Sequence, residues 1–114
     1  MSDCLFCRIA SGEIPARIVH QDDRYVAFED INPQAPVHIL IIPRRHLEGL
    51  NELGPDDNEL VGGVHLLARD LARARGLSDR GYRLVVNSGP DAGQTVFHLH
   101  FHLLGGRALK WPPG

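Results

Sequence analysis

Histidines stand at alternate positions in Val96-Phe97-His98-Leu99-His100-Phe101-His102-Leu103-Leu104, and apolar residues fill the gaps between them. Side chains of a β-strand alternate between two faces. His98, His100 and His102 are therefore predicted on one face, and Phe97, Leu99, Phe101 and Leu103 on the other. The apolar face anchors the segment to a core, with Phe97 and Phe101 both read as buried. Imidazole has the unperturbed pKa closest to neutrality, so the row can supply a nucleophile, a proton carrier or a metal ligand. A nucleophilic imidazole needs one bare nitrogen while an acceptor holds the other. A covalent phosphohistidine would split one hard displacement into two easier ones. The three rings cannot comfortably close on one ion, since the outer two would lie about 13 Å apart on a straight strand. An adjacent pair remains available to a metal-dependent hydrolase.

The flanking elements must position that row. Leu5–Ala10 reads as a short helix stopped near Gly12. Ile18–His20 and Tyr25–Glu29 read as strands around the turn-forming Asp22-Asp23. Val37–Ile42 is a β-branched run ended by Pro43, hence a third strand. Asp56, with Glu59 three residues on, has the form of a capping box opening the one long helix. Its apolar stripe is Leu60, Val64, Leu67 and Leu71, and Gly76 closes it. Gly62-Gly63 within it costs roughly 1 kcal/mol per glycine in propensity, which a close approach to another backbone, for instance across a dimer, would offset. Tyr82–Asn87 is the next strand, and Ser88-Gly89-Pro90-Asp91-Ala92-Gly93-Gln94 leads into the histidine row. Backbone N–H groups freed by Gly93, with Gln94 and Thr95, are donors suited to charge on phosphate oxygens. The element order predicts an α+β domain with an antiparallel sheet.

At 114 residues the chain fits one domain with a real core. The 43% hydrophobic and 23% charged fractions are those of a soluble globular protein. A formal charge of −2 with interspersed signs leaves no electrostatic footprint for bulk nucleic-acid binding. No apolar run approaches the ~20 residues that span a bilayer, so no membrane partner is expected. The stretch Met1–Cys7 lacks the basic and apolar regions of a secretory signal, and a cytoplasmic location is expected.

The segment Gly93-Gln94-Thr95-Val96-Phe97-His98-Leu99-His100-Phe101-His102-Leu103-Leu104 resembles the signature of the histidine-triad (HIT) family. Asp30-Ile31-Asn32-Pro33-Gln34-Ala35-Pro36-Val37-His38, Val85-Val86-Asn87, Gly105-Gly106-Arg107 and Trp111-Pro112-Pro113-Gly114 look like its Hint branch. The resemblance runs from about Leu5 to Gly114 and implies a single HIT domain over residues 1–114. It implies a HIT-like α+β fold: an antiparallel sheet of about five strands, one long helix and a short N-terminal one, dimerising into a joined sheet. The implied activity is hydrolysis of purine nucleoside phosphoramidates, of the adenosine 5′-monophosphoramidase type, through a nucleotidyl-histidine. The alternative is a non-catalytic purine-nucleotide-binding regulatory protein. By the same resemblance His100 is the nucleophile, His102 lies beside phosphate and leaving group, and His98 and His38 complete the histidine cluster. Asn87, Gly93, Gln94 and Thr95 line the phosphate side, and Asp30 holds the ribose hydroxyls. Leu5, Phe6, Ile9, Phe28, Ile31 and Leu40 enclose the base, and Trp111 reaches toward the partner of a homodimer. Thr95 departs from the serine common in that branch. It keeps the hydroxyl but restricts its rotamer.

Cys4 and Cys7, the only cysteines, form C-x-x-C. In a cytosolic chain that spacing suggests metal or redox chemistry, and no strand precedes Cys4 to make a thioredoxin-like site. Two thiolates are half of a tetrahedral zinc site, which two histidines would complete. Some bacterial-type relatives look like this, and the resemblance assigns Cys4, Cys7, His46 and His98 to a structural zinc. No cofactor is required for the implied chemistry itself.

Overall fold

The computed structural model describes residues 3–114; Met1 and Ser2, part of the amino terminus read above, lie outside the described residues. Helix α1 is Leu5–Ala10, and strands β1 (Ile18–Gln21), β2 (Tyr25–Glu29) and β3 (Val37–Pro43) follow. Helix α2 spans Asn58–Ala74, then come β4 (Tyr82–Val86) and β5 (Phe101–Gly105). The strands form one antiparallel sheet in the order β1-β2-β3-β5-β4, so the architecture is the predicted α+β one. Among the described residues no helix is long and apolar enough to cross a membrane.

Period-two alternation divides the sheet between two cores. Tyr25, Ala27, Ile39, Ile41, Phe101 and Leu103 face α2 and pack with its Val64, Ala68 and Ala72. Val26, Phe28, Leu40 and Ile42 point to the opposite face, where Phe6 and Ile9 of α1 cover them. Because α1 is only six residues long, it covers part of that face and leaves the rest for a site. Six residues are too few for a helix to persist without tertiary anchorage.

The histidine row is less regular than a straight strand. Ladder pairing begins only at Phe101, and the backbone bends at Val96–His98. Leu99 N–H donates instead to the Leu47 carbonyl at 2.6 Å. From Leu99 onward the expected facing holds, with Leu99, Phe101 and Leu103 buried against the α2 core. Phe97 sits on the bend and is 54% exposed, so its assignment to the core is corrected.

The start of α2 also differs. A 3-10 turn at Pro55–Asp57 precedes it, the N-cap position of α2 is Asp57 rather than Asp56, and the Asp57 side chain caps the 3-10 turn instead of α2. The Asp57 carboxylate accepts from Gly54 N–H at 2.7 Å and from the Arg45 guanidinium at 2.5 Å. Of the glycine pair, Gly63 is the constrained one: a Cβ there would overlap the Tyr25 hydroxyl, which donates to the Leu60 carbonyl at 2.7 Å. That approach is to a side chain of the same molecule, not to another backbone, and nothing lies within 4 Å of a Cβ at Gly62.

Candidate functional site

A cavity of about 320 Å³ opens on the α1 face of the sheet. Phe6 and Ile9 from α1, Phe28 from β2 and Leu40 from β3 form its apolar wall. Asp30 stands just beyond the end of β2, and Ile31 beside it is 99% exposed at the rim. Leu5 also lines the cavity and is 45% exposed. Thr95, His100 and His102 close the polar end. Ile14, Pro15 and Ala16, in the connection from α1 to β1, complete the wall. Their signal in the sequence was only a short apolar Ile-Pro-Ala segment before a strand, too weak to mark a lining.

Register explains why His38 meets His102. His102 pairs across the ladder with Leu40 and His38 with Leu104, so the two histidines are diagonal neighbours on one face. Their rings approach with His38 Nε2 2.9 Å from His102 Nδ1. Backbone donors settle which nitrogen carries each proton. Gln34 N–H donates to His38 Nδ1 at 3.0 Å, so His38 Nδ1 is bare and its Nε2 carries hydrogen. That Nε2–H points at His102 Nδ1, with an Asp30 carboxylate oxygen 3.4 Å away. His102 Nδ1 is therefore the acceptor, and its own hydrogen resides on Nε2. Burial, with His100 and His38 nearby, pushes the His102 pKa down to about 4. Burial also lowers that of His38, against a raising influence from Asp30. Both rings are neutral near pH 7.

The same reasoning fixes His100. Its Nδ1 lies 2.7 Å from the His98 carbonyl, which can only accept, so Nδ1 carries hydrogen and Nε2 keeps its lone pair. The residue is only 7% exposed, yet it borders the cavity, and its ring centroid is 5.1 Å from that of His102. Phe6 packs edge-on against the His100 ring at 5.1 Å. A lone pair and an N–H donor thus stand side by side at one end of an apolar slot.

His98 has a different environment. Its Nε2–H donates to the Pro43 carbonyl at 2.8 Å, which leaves Nδ1 bare. That Nδ1 lies 3.3 Å from Cys4 Sγ, 3.4 Å from Cys7 Sγ and 3.1 Å from His46 Nδ1. Burial depresses the pKa of His98, partly opposed by its hydrogen bond to Pro43. Cys7 Sγ is also 3.3 Å from His46 Nδ1. Four donor atoms converge, from the residues that the family resemblance assigned, and a metal-ligating imidazole commonly gives its other N–H to a carbonyl in this way. Two thiols and two imidazoles fit a zinc-type ion. Asp30, His38 and His102 are a second convergent group. There the Gln34 N–H occupies His38 Nδ1 and obliges Nε2 to hold the proton that a metal would displace. In the first cluster no such proton stands in the way at His98 Nδ1.

The loop before the histidines is held by Gln94. Its Nε2 donates to the carbonyls of Glu48 at 2.6 Å and Val96 at 3.1 Å, and its Oε1 accepts from Gly89 N–H at 2.9 Å. Gly93 adopts the left-handed conformation (φ 87°) that closes the turn at Pro90–Ala92. Asn87 follows the end of β4, and Asn87, Gly93 and Gln94 are not among the residues that line the cavity. Trp111 is 81% exposed on the C-terminal tail and lies apart from this chain's cavity lining.

Residues 11–109 match the HIT domain. The chain is 51% identical over 112 residues to an uncharacterised HIT-like protein of Synechocystis sp., covering 98% of this chain and 97% of that one. It superposes on the crystal structure of a HIT family hydrolase from Legionella pneumophila with a TM-score of 0.97 and 54% identity, over 98% of this chain and 100% of the other. A histidine triad nucleotide-binding protein from Candida albicans is similar at a TM-score of 0.82 and 33% identity, over 96% and 83% of the two chains.

Proposed function

The chain belongs to the HIT domain family, and from that premise we propose that it is a hydrolase of purine nucleoside 5′-phosphoramidates acting through a nucleotidyl-histidine. The observation that carries this reading is the pairing of a bare His100 Nε2 with a His102 Nε2–H at the polar end of an apolar slot. The relatives named as a HIT family hydrolase and as a nucleotide-binding protein support it. A purine enters between Phe6, Phe28 and Leu40, and the ribose hydroxyls donate to Asp30.

His100 Nε2 attacks the α-phosphorus, forming an N–P bond as the bond to the leaving nitrogen breaks. Its Nδ1–H stays on the His98 carbonyl and stabilises the positive charge gained by the ring. His102, neutral at working pH, serves as a fixed N–H donor to the phosphoryl oxygens or the leaving nitrogen, and Thr95 supplies a hydroxyl on the same side. The amine takes a proton from solvent water. Hydroxide from that water then attacks phosphorus and breaks the N–P bond, which releases the nucleoside monophosphate and restores neutral His100. Turnover of radiolabelled adenosine phosphoramidate quenched in alkaline denaturant, where a histidine N–P bond survives, tests the reading: label should travel with wild-type protein and be absent from His100→Ala. Bound AMP with neither label nor hydrolysis would instead indicate a nucleotide-binding regulatory protein.

The same reading includes a structural zinc on Cys4, Cys7, His46 and His98, and a homodimer joined through β4, the sheet-edge strand whose one ladder is to β5.

A further inference from the structure

Helix α1 borders two sites at once. Cys4 and Cys7, at its start and first turn, reach the thiol–imidazole cluster, while Leu5, Phe6 and Ile9 line the cavity. The Phe6 ring packs edge-on to both His98 at 6.1 Å and His100 at 5.1 Å, so it touches a ligand of the cluster and the nucleophile. His98 is also shared, its ring in the cluster and its carbonyl on His100 Nδ1. The third participant is the end of β3 with the segment that follows it. Pro43 O accepts from the His98 ring, Leu47 O accepts from Leu99 N–H, and His46 between them adds its imidazole to the cluster.

We propose that the Cys4–Cys7–His46–His98 cluster controls nucleotide binding, because a zinc-type ion held there clamps α1 as the cavity wall and fixes the carbonyl that orients His100. This rests on the cavity being the nucleotide site. The six-residue helix cannot hold itself, and its cap is the Cys4 sulfur accepting from Cys7 N–H at 3.3 Å. Removing the ion releases the helix start from the His46 and His98 segments. Burial of Phe6 and Ile9, and the hydrogen bond from Arg44 Nη1 to the Ala10 carbonyl at 2.9 Å, are then what hold the wall. Cys4, Cys7 and His46 are thus positioning residues for a site none of them need touch.

Three samples decide the matter: zinc-loaded protein, protein stripped with a chelator, and the His46→Ala variant, with metal content measured in each. AMP binding is followed by calorimetry and amide exchange by mass spectrometry. Loss of the ion should weaken AMP binding roughly tenfold, the scale on which supporting interactions act on a site. It should also speed exchange in residues 5–10 while β2 and β3 stay protected, and added zinc should reverse both effects in the stripped wild type. His46→Ala alters an exposed residue, so it is the arm expected to fold with both cysteines intact. Unchanged AMP affinity and unchanged exchange in α1 after verified metal loss would overturn the clamp, as would loss of protection throughout the sheet. A chain that takes up no zinc would overturn it too. If AMP binds no form of the protein, the nucleotide reading fails by itself, and local exchange in α1 still judges the clamp.

Discussion

Three imidazoles of identical chemistry acquire three duties because each is held by a different backbone group. The His98 carbonyl makes His100 a lone-pair donor toward the cavity, Gln34 N–H makes His38 a proton donor to His102, and Pro43 O turns the bare nitrogen of His98 toward two thiols. Replacing His100 by alanine should lower phosphoramidate turnover about a thousandfold or more while AMP still binds, as steady-state kinetics and calorimetry would reveal. For His102→Ala a loss in kcat of roughly a hundredfold is expected, and His102→Gln, which retains an N–H donor, should lose less. The depressed pKa of His102, about 4, has a sign that can be measured. Between the ordinary histidine value near ~6.5 and that of the folded protein, the unfolded chain binds a proton that the native state refuses. Stability therefore falls as pH drops through that window, and denaturant titrations of His102→Gln should show a shallower fall. The alternating pattern made the histidines legible as a reactive set. It could not assign their protons, since those depend on carbonyls and amides contributed by distant residues such as Pro43 and Gln34.

Among the elements, five strands and two helices were readable because the apolar periods and the Gly and Pro punctuation agreed with one another. Misreadings fell where tertiary contacts override local pattern. Phe97 is drawn off the alternation by the bend that carries His98 toward α1, and the helix entry shifts because the Asp57 carboxylate is held by Arg45 and Gly54 N–H in a preceding 3-10 turn. Gly63→Ala would push against the Tyr25 hydroxyl and should destabilise the fold by about 1–3 kcal/mol, whereas Gly62→Ala should stabilise the helix or leave it unchanged. Equilibrium unfolding of the two variants separates these outcomes. The Gln94 amide spends three hydrogen bonds inside the protein. Gln94→Ala should therefore raise KM and speed exchange at Gly89 N–H, a signature that loss of a mere ligand contact would not produce.

At the level of the whole molecule, both convergent groups depend on strands brought together by the sheet rather than on neighbours in sequence. The C-x-x-C spacing announced a metal or redox site, and only the fold sets His46 and His98 beside it. A complete set of four ligands should yield zinc near one equivalent per chain by elemental analysis, and chelation should lower the melting temperature. The order β1-β2-β3-β5-β4 has one further consequence for how the chain reaches its working form. Strand β5 is threaded between two that precede it in sequence, and among the described residues β4 has no other partner. A nascent polypeptide halted before Phe101 would lack the wedge that completes the sheet as well as the His102 imidazole that stands beside His100. Closure of the sheet and completion of the histidine cluster would then arrive in a single late event.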